Sequence, residues 1–513
     1  MKMELLERMR RHSQDIPDAL AVKTSDGEFA TYRAHWSASE AIAAFLRTAD
    51  IAAHEPVVVY GHTSPLMTEC FHACMKSGHP YVPLDCHTVP SDRVANIVGQ
   101  IGSPTVLAVE DFPTVATRGL VIPRAELERI VADGVRAGAV SDESAWVSGE
   151  DLCYILFTSD ATGAPKGVQV TADCVDSFAR WALTLGGIGK EGLTFLNKAS
   201  FSFDLSIFGQ VMSFQAGGTL YSLTKSAQDD FVKQFRAFME SKVDVWVSTP
   251  SFVDACLAEK TFDGALLKNL KLFLFSGETL TNATACRLLK RFPKAVIVNT
   301  YGPAESTVAV TSVTVTPEMA EADAPLAVGL PKPGTRIRVV DAHGSDVPAG
   351  RHGEIVVEGD TVAKGYFGRE DLTAKAFGIA DLDGRPVRTY RTGDEGWLDA
   401  EGMLHYRGRL DLQVKLDGFR IELGDIEENL RRLDAVETAA VVPAMRDGRV
   451  THLVAHVVSA EARVESDFRE GLKLKGALKT NLPPYMIPRK IVFHDALPMT
   501  PDGEVDRVAL AAL

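Results

Sequence analysis

Short apolar runs alternate along this chain with longer amphipathic stretches, and this alternation limits the folds that the chain can adopt. The clearest apolar runs are residues 56–61, 80–84, 105–109, 153–159, 243–249, 270–277 and 295–302. Strands that are separated by helices build parallel sheets, because each connection crosses back over the sheet as a helix. The pattern therefore predicts an α/β protein with largely parallel sheets.

The pattern changes twice towards the C-terminus. Beyond about residue 330, short strands alternate with glycine and aspartate turns, which is typical of antiparallel pairing and predicts a small β-barrel-like part. After residues 408–411 (GRLD), the chain has two helical stretches and a strand of its own. We therefore expect a large N-terminal domain over residues 1–410 and a small α+β domain over residues 411–513.

Composition narrows the class of protein. The chain has 513 residues and a formal net charge of -14, which argues against non-specific nucleic-acid binding. The N-terminal segment lacks the apolar region of a signal peptide, and no apolar run is long enough to span a membrane. The seven cysteines are scattered and odd in number, which indicates reduced thiols. We expect a cytoplasmic protein that binds neither nucleic acid nor membrane.

The strongest local signal is residues 154–168, YILFTSDATGAPKGV, in which an apolar strand enters a loop of hydroxyls, glycine and lysine. Backbone N–H groups, hydroxyls and an ammonium suit the oxygens of a polyphosphate. The segment is not a Walker loop, because its glycine and lysine spacing differs. A solvated surface turn is the alternative interpretation.

Two further segments end apolar strands with polar residues. In residues 299–305 (NTYGPAE), the Tyr301 ring could stack on a base and the Glu305 carboxylate could bind Mg²⁺. In residues 390–394 (YRTGD), Asp394 could accept hydrogen bonds from ribose hydroxyls. Each segment by itself is equally compatible with an ordinary turn.

Asp204 lies in a strongly apolar stretch, FSFDLSIF at residues 201–208. A buried carboxylate is costly unless it has a cationic partner. A substrate ammonium and a structural lysine or arginine are both possible partners.

The four segments, in this order, resemble those of the adenylate-forming superfamily, which includes acyl-CoA synthetases, luciferases and nonribosomal adenylation domains. The resemblance spans essentially the whole chain. Further matching segments are SGHPYVPLD (77–85), GEIVVEGDTVAKGYFGREDLT (353–373), GRLDLQVKLDGFRIELGDIE (408–427) and LPMTPDGEVDR (497–507). Within the superfamily, the chain is most similar to stand-alone D-alanine–carrier-protein ligases.

The resemblance implies a role for individual residues. It implies a catalytic lysine and a magnesium-binding carboxylate at Lys166 and Glu305. It implies the following ATP-binding residues: Thr158, Ser159, Thr162, Gly163, Asn299, Thr300, Tyr301, Gly302, Ala304, Asp394, Tyr406 and Arg409. It implies the following substrate-binding residues: Asp204, Ser276, Gly277 and Val308. It also implies that the small domain moves about a hinge at Asp411.

The implied reaction uses ATP and Mg²⁺ to convert a small amino acid into an aminoacyl-adenylate, and L- or D-alanine is the first candidate. The acceptor is implied to be the phosphopantetheine thiol of an acyl or peptidyl carrier protein, or an amine on an aminoacyl carrier protein. The chain contains no G-x-D-S-L carrier segment, so the acceptor must belong to another protein. An acyl-CoA or aryl-acid ligase and a degenerate binding protein are the alternatives.

The chain departs from the family pattern at several positions. Asp160 and Ala161 replace a glycine and a hydroxyl residue of the phosphate loop, and Ala304 replaces a hydroxyl residue. Glu504 stands where the family has its catalytic lysine, and Lys415 or Lys490 are candidate substitutes.

A further departure concerns substrate selection. Ser276 stands where D-alanine ligases usually have cysteine, which predicts a relaxed choice between D- and L-amino acids.

Overall fold

The fold is described from a computed structural model of the whole chain. The description covers residues 2–49, 51–102, 104–115, 117, 119–158, 165–410, 412–446, 449–460, 465–499 and 505–513.

The described residues form α-helices and β-strands throughout. The helices are α1 Glu4–Asp15, α2 Tyr32–Thr48, α3 Pro65–Ser77, α4 Ser91–Ile101, α5 Arg124–Ala137, α6 Ala172–Ala182, α7 Leu205–Gln215, α8 Lys225–Gln228, α9 Phe231–Ser241, α10 Pro250–Leu257, α11 Asn282–Arg291, α12 Pro317–Glu321, α13 Glu370–Ala376, α14 Leu423–Arg431, α15 Asp467–Leu478 and α16 Arg507–Ala511. The strands are β1 Leu20–Thr24, β2 Phe29–Thr31, β3 Val57–Gly61, β4 Tyr81–Asp85, β5 Val106–Ala108, β6 Val121–Pro123, β7 Leu152–Thr158, β8 Lys166–Thr171, β9 Thr194–Asn197, β10 Thr219–Ser222, β11 Val245–Ser248, β12 Leu272–Phe275, β13 Val296–Tyr301, β14 Thr311–Thr314, β15 Leu330–Pro331, β16 Thr335–Val340, β17 Gly353–Gly359, β18 Phe377–Leu382, β19 Arg385–Leu398, β20 Leu404–Arg409, β21 Gln413–Leu416, β22 Phe419–Glu422, β23 Val436–Arg446, β24 Arg449–Ser459 and β25 Lys490–His494.

Two large sheets form the greater part of the molecule. The first has nine strands in the order β15-β14-β13-β12-β11-β9-β10-β1-β2, and the pairings from β13 to β1 are all parallel. The second has six strands in the order β6-β5-β3-β4-β7-β8, of which only the β7–β8 pair is antiparallel. The prediction of an α/β protein with parallel-rich sheets is confirmed.

The largest hydrophobic core lies between these two sheets. Helices α1, α2, α3, α6 and α7 contribute buried side chains to it, together with strands of both sheets. Separate cores cover the outer faces, one on β9–β13 and the other on β3–β5. Because the central strands are buried on both faces, they are apolar runs without alternation, which is why they stand out in the sequence.

The strands after residue 330 form smaller antiparallel units. Strands β16, β17, β19, β18 and β20 make one sheet around its own core. The C-terminal part contains the β21–β22 hairpin, the β23-β24-β25 sheet, α14, α15 and α16. As far as the described residues show, its principal core is built from its own side chains, between Leu416 and Met486.

The sheets also position the polar residues of the predicted site. Thr158 is the last residue of β7, Ser276 follows β12 directly, and Gly302 follows β13 directly. Carboxyl ends of parallel strands lie at the same edge of a sheet, which is where α/β sheets bind ligands. In the described part of the chain, no helix is both long and apolar enough to cross a bilayer.

Candidate active site

A deep cleft opens at the carboxyl ends of the two sheets, where the C-terminal part covers them. It has two lobes with volumes of about 1010 Å³ and about 1340 Å³. We name them the Asp204 lobe and the Tyr406 lobe after a residue that lines each alone. Both lobes are lined by Gly277, Gly302, Arg409, Gln413 and Lys415, so they form one continuous cleft.

Asp204 caps the N-terminus of α7 and lines its lobe. Burial raises the pKa of its carboxyl group to about 6, although the Lys415 ammonium opposes this rise. No ion pair joins Asp204 to another described residue, and its carboxylate therefore lacks the cationic partner that burial demands.

Ser276, Gly277 and Val308 lie on the same lobe, as the sequence predicts for a small side-chain pocket. Ser276 is buried, and Val308 holds the left-handed backbone conformation at φ 70°. A β-branched residue in that conformation is strained, which is common where a ligand site fixes the backbone. A Cβ on Gly302 would lie 2.5 Å from the Cα of Ala309, so only glycine fits between the lobes.

Thr158 and Lys166 lie on neighbouring strands beside the Asp204 lobe. The Thr158 hydroxyl is buried and has no hydrogen-bond partner among the described residues. The Lys166 ammonium is buried and lies 3.7 Å from Oε1 of Glu305. Ser159, Thr162 and Gly163, the other predicted phosphate-loop residues, lie outside the described residues. An orphan hydroxyl and a buried ammonium are the groups that a phosphate would use.

Asn299, Thr300 and Tyr301 end β13 and line the Tyr406 lobe. The Asn299 amide donates to the carbonyl of Ala327 at 2.9 Å, and the Thr300 hydroxyl donates to the carbonyl of Phe275 at 2.8 Å. These two side chains therefore hold the strand end in place. The Tyr301 and Tyr406 rings lie 5.8 Å apart at 35°, and they form an aromatic wall. Such a wall suits a purine base.

Asp394 is nearly fully buried, and both of its carboxylate oxygens already accept hydrogen bonds. Arg409 donates to Oδ1 at 2.7 Å, and the Tyr301 hydroxyl donates to Oδ2 at 2.5 Å. Each carboxylate oxygen can accept a second hydrogen bond, so ribose hydroxyls remain compatible with this arrangement. Asp394 and Ala304 line the Asp204 lobe, and Arg409 lines both lobes.

The β21–β22 hairpin also reaches the site, although sequence analysis assigned it no role beyond that of Lys415 as a candidate substitute. Lys415, Gly418, Phe419 and Arg420 line the Asp204 lobe. Burial lowers the pKa of Lys415, and nearby Asp394 opposes this effect. Sequence analysis noted the QVKLDGFR segment only as part of a longer family match, because neither its residue types nor their spacing indicates a binding site. The predicted hinge Asp411 and the altered position Glu504 lie outside the described residues.

The fit of Mg²⁺ depends on Glu305, which is fully buried. Its Oε1 accepts a hydrogen bond from the Tyr366 hydroxyl at 2.7 Å, and its Oε2 accepts one from Arg420 at 2.6 Å. Burial raises the pKa of Glu305, but Arg420 and Lys166 outweigh burial and hold this pKa below its usual range. Within the described ranges, no three acidic, histidine or thiol groups cluster as a metal site. As arranged here, Lys166 and Arg420 place a positive charge beside each carboxylate oxygen of Glu305, which opposes a divalent cation.

Comparison with known proteins identifies the family. Residues 9–367 match the model of the AMP-binding enzyme, and residues 425–504 match that of the AMP-binding enzyme C-terminal domain. The chain is 41% identical to a D-alanine–D-alanyl carrier protein ligase of Bacillus licheniformis, covering 99% of both chains. It is 39% identical to the protein of the same name in Bacillus cereus strain B4264, again over 99% of each.

Solved structures agree with this result. An NRPS protein containing adenylation and PCP domains, bound to a vinylsulfonamide inhibitor, superposes with a TM-score of 0.82 at 27% identity. The match covers 99% of this chain and 83% of that one. A Vibrio cholerae adenylation domain in complex with glycyl-adenosine-5'-phosphate shares the fold, with a TM-score of 0.79 at 20% identity over 100% and 98% of the two chains.

Fold, cleft and relatives together define an ATP-using ligase. The chain belongs to the AMP-binding enzyme family.

Proposed function

We propose that this protein activates a small amino acid with ATP and transfers the aminoacyl group to the phosphopantetheine thiol of a carrier protein. Alanine is the preferred candidate, because two relatives of about 40% identity are named D-alanine–D-alanyl carrier protein ligases. The proposal covers both D- and L-alanine, because Ser276 lines the pocket at the position where D-alanine ligases usually have cysteine.

Asp204 is the observation that carries the proposal. Its carboxylate is buried beside the small pocket of Ser276 and Val308, and it lacks an ion-pair partner among the described residues. A substrate ammonium would supply the missing partner. A fatty or aryl acid would leave Asp204 unpaired at a cost, so this site favours an amino acid.

In the proposed first half-reaction, a carboxylate oxygen of the amino acid attacks the α-phosphorus of ATP. The bond from this phosphorus to the β-phosphate oxygen breaks, and pyrophosphate leaves without any proton transfer. Lys166, the Thr158 hydroxyl and the loop of Ser159, Thr162 and Gly163 would hold the phosphates. Fixed cations and donors around the reacting atoms would accelerate this step by positioning the groups and by stabilising their charge.

The Tyr406 lobe would bind the nucleoside. The Tyr301 and Tyr406 rings would contact adenine, the backbone of residues 299–302 would follow the base, and Asp394 with Arg409 would bind ribose. Mg²⁺ would accompany the triphosphate with Glu305 as its protein ligand, which requires Arg420 to leave Glu305 first.

In the proposed second half-reaction, the thiol sulfur attacks the aminoacyl carbonyl carbon. The bond from this carbon to the phosphate oxygen breaks, AMP leaves, and the thiol proton passes to water. We propose that residues 411–513 move as one domain about Asp411 between the two half-reactions. The seven cysteines are unpaired thiols, which supports a reducing, cytoplasmic location.

Amino-acid-dependent ATP–pyrophosphate exchange tests the proposal. D-alanine, L-alanine, glycine and serine would be compared with propionate, which is alanine without its amine. We expect exchange with at least one amino acid and none with propionate. Exchange with propionate, fatty or aryl acids would instead support an acyl-CoA or aryl-acid ligase. A protein that binds ATP but exchanges with no acid would be a degenerate binding protein.

The acceptor is tested separately, with a purified holo carrier protein and with the same carrier loaded beforehand with an amino acid. A thioester on the free thiol supports the proposal. An amide that forms only on the loaded carrier would show that the acceptor is an amine.

A further inference from the structure

The carboxylate of Glu305 is fully engaged by groups from three separate parts of the chain. Tyr366 donates to Oε1 at 2.7 Å, Lys166 lies 3.7 Å from Oε1, and Arg420 donates to Oε2 at 2.6 Å. Tyr366 and Lys166 belong to the large N-terminal part, whereas Arg420 belongs to the β21–β22 hairpin of the C-terminal part. The cation nearest to Glu305 is therefore Arg420, which belongs to the C-terminal part, and this part has a core of its own.

The hairpin tip is tightly docked in this arrangement. The Gly418 N–H donates to the Glu278 carboxylate at 2.7 Å. The Phe419 ring stacks on Tyr485 with 3.8 Å between ring centroids, and it lies 5.8 Å from the Phe203 ring. Arg420 therefore reaches Glu305 as a consequence of docking.

Docking also changes the charge of the cleft. The Asp204 lobe is lined by charged side chains of both signs, among them Asp204, Asp394 and Arg409. The docked hairpin adds the cations Lys415 and Arg420 to this lobe, and Arg420 pairs with Glu305. The added positive charges stabilise an adenylate phosphate and oppose a divalent cation.

We propose that Arg420 is a positioning residue that takes the place of Mg²⁺ on Glu305, so that hairpin docking and metal binding exclude each other. This inference rests on the proposed function. The docked arrangement then belongs to the transfer half-reaction, after pyrophosphate has left. Negative charge develops on the departing AMP in that half-reaction, and Lys415 and Arg420 supply the positive charge that the cleft then needs.

The competing explanation is that the ion pair between Arg420 and Glu305 is purely structural. A second contact of the same interface distinguishes the two explanations. Arg449 forms an ion pair with Asp254 and donates to the carbonyl of Thr279 at 2.8 Å, which also joins the C-terminal part to the rest. Arg449→Met loosens docking without touching Glu305. Arg420→Met removes the proposed competitor of the metal, and Arg420→Lys keeps its charge.

The experiment measures binding of α,β-methylene-ATP to the full chain by isothermal titration calorimetry, once with Mn²⁺ and once with EDTA. The ratio of the two affinities is the metal enhancement. We expect Arg420→Met to increase this enhancement roughly tenfold, within the range of coupling between exclusive states. Arg420→Lys should stay near wild type, Arg449→Met should change it much less, and Glu305→Gln should abolish the enhancement.

Several outcomes would overturn the inference. They are an unchanged enhancement in Arg420→Met, an equal increase in Arg449→Met, and a retained enhancement in Glu305→Gln. The wild type alone supplies a second test. With preformed aminoacyl-adenylate, increasing free Mg²⁺ should slow single-turnover transfer to the carrier thiol, and a metal-independent rate would also overturn the inference. A wild type that exchanges pyrophosphate with no amino acid would instead refute the proposed function.

Discussion

At the scale of single residues, the proposed function gives one buried carboxylate the choice of substrate class. Asp204 is held at the start of α7, where burial raises its pKa to about 6. A group in this state is poorly satisfied in the free protein and gains most when a cation arrives. Substrate recognition would therefore use an instability that is built into the empty site.

We predict that Asp204→Asn lowers kcat/KM for the amino acid by roughly a hundredfold or more, the scale of truncating one partner of a buried charge pair. In the wild type, kcat/KM should fall as pH decreases through about 6, because a neutral carboxyl group cannot pair with an ammonium. Initial-rate exchange assays over a pH series measure both effects. A variant with unchanged kcat/KM would show that Asp204 does not bind substrate.

The same substitution should stabilise the protein without ligand. The folded-state pKa of Asp204 is raised from 3.8 to about 6, so its ionised form costs stability at neutral pH. The gain in melting temperature of Asp204→Asn should be complete above pH 6 and should disappear as pH falls towards 3.8. Thermal unfolding at several pH values measures it, and a lower melting temperature at pH 7 would contradict it.

Ser276 sets the second residue-scale prediction. It is buried on the Asp204 lobe, at the position where the sequence resemblance expects cysteine. We predict that Ser276→Cys shifts the ratio of D- to L-alanine kcat/KM towards D-alanine by about tenfold, the scale of a small change in pocket volume. Exchange assays with each enantiomer measure the ratio. An unchanged ratio would place stereochemical selection elsewhere in the pocket.

At the scale of elements, the β21–β22 hairpin completes the cleft that the two sheets begin. Its tip needs glycine at 418, where φ is 85° and a Cβ would lie 2.5 Å from Cγ2 of Thr249. The tip fits against the large part of the chain only without a side chain at this position. A substitution here should therefore act on docking.

We predict that Gly418→Leu slows aminoacyl transfer by roughly a hundredfold, because the hairpin tip can no longer seat and its side chains are displaced. Pyrophosphate exchange should change little, since the docked hairpin belongs to the transfer half-reaction. The matched control is Gly384→Leu, which has a similar φ of 78° in a turn with open space around it. Equal losses in both variants would attribute the effect to backbone strain.

The helices and strands also differ from the contacts between them in how well the sequence predicts them. The strands were predictable because their central segments are apolar on both faces, and the adjacent parallel strands β12 and β13 bring Ser276 and Gly302 to one edge of the nine-stranded sheet. Arg420 was not predictable, because its contact with Glu305 depends on how one folded part rests on another. The hydrogen bonds by which the Asn299 and Thr300 side chains hold the β13 end were also not predictable, because their partners lie far away in the sequence.

At the scale of the whole molecule, the altered residue Glu504 matters for the proposed movement of the C-terminal part between two arrangements. The family pattern places a lysine at this position for the adenylating arrangement, and the chain supplies a carboxylate instead. Reversing a charge near the triphosphate should slow the first half-reaction and should leave the transfer half-reaction largely unaffected.

We predict that Glu504→Lys increases the rate of amino-acid-dependent pyrophosphate exchange by roughly a hundredfold, the scale of restoring one preorganised group. Transfer from preformed adenylate should stay near the wild-type rate. Lys479→Met, which alters an exposed lysine at the C-terminal end of α15, is the control for general charge effects. A variant that exchanges no faster than wild type would show that the missing lysine has been replaced by another group.

The C-terminal part has a consequence of its own, because no described residue from the rest of the chain belongs to its principal core. Such a part can be turned without unpacking either interior, and a few contacts at its surface set the populations of its orientations. Substitutions at those few positions could rebalance the two half-reactions of a catalytic cycle while leaving folding stability almost untouched. Selection could therefore adjust the pace of this enzyme independently of its durability.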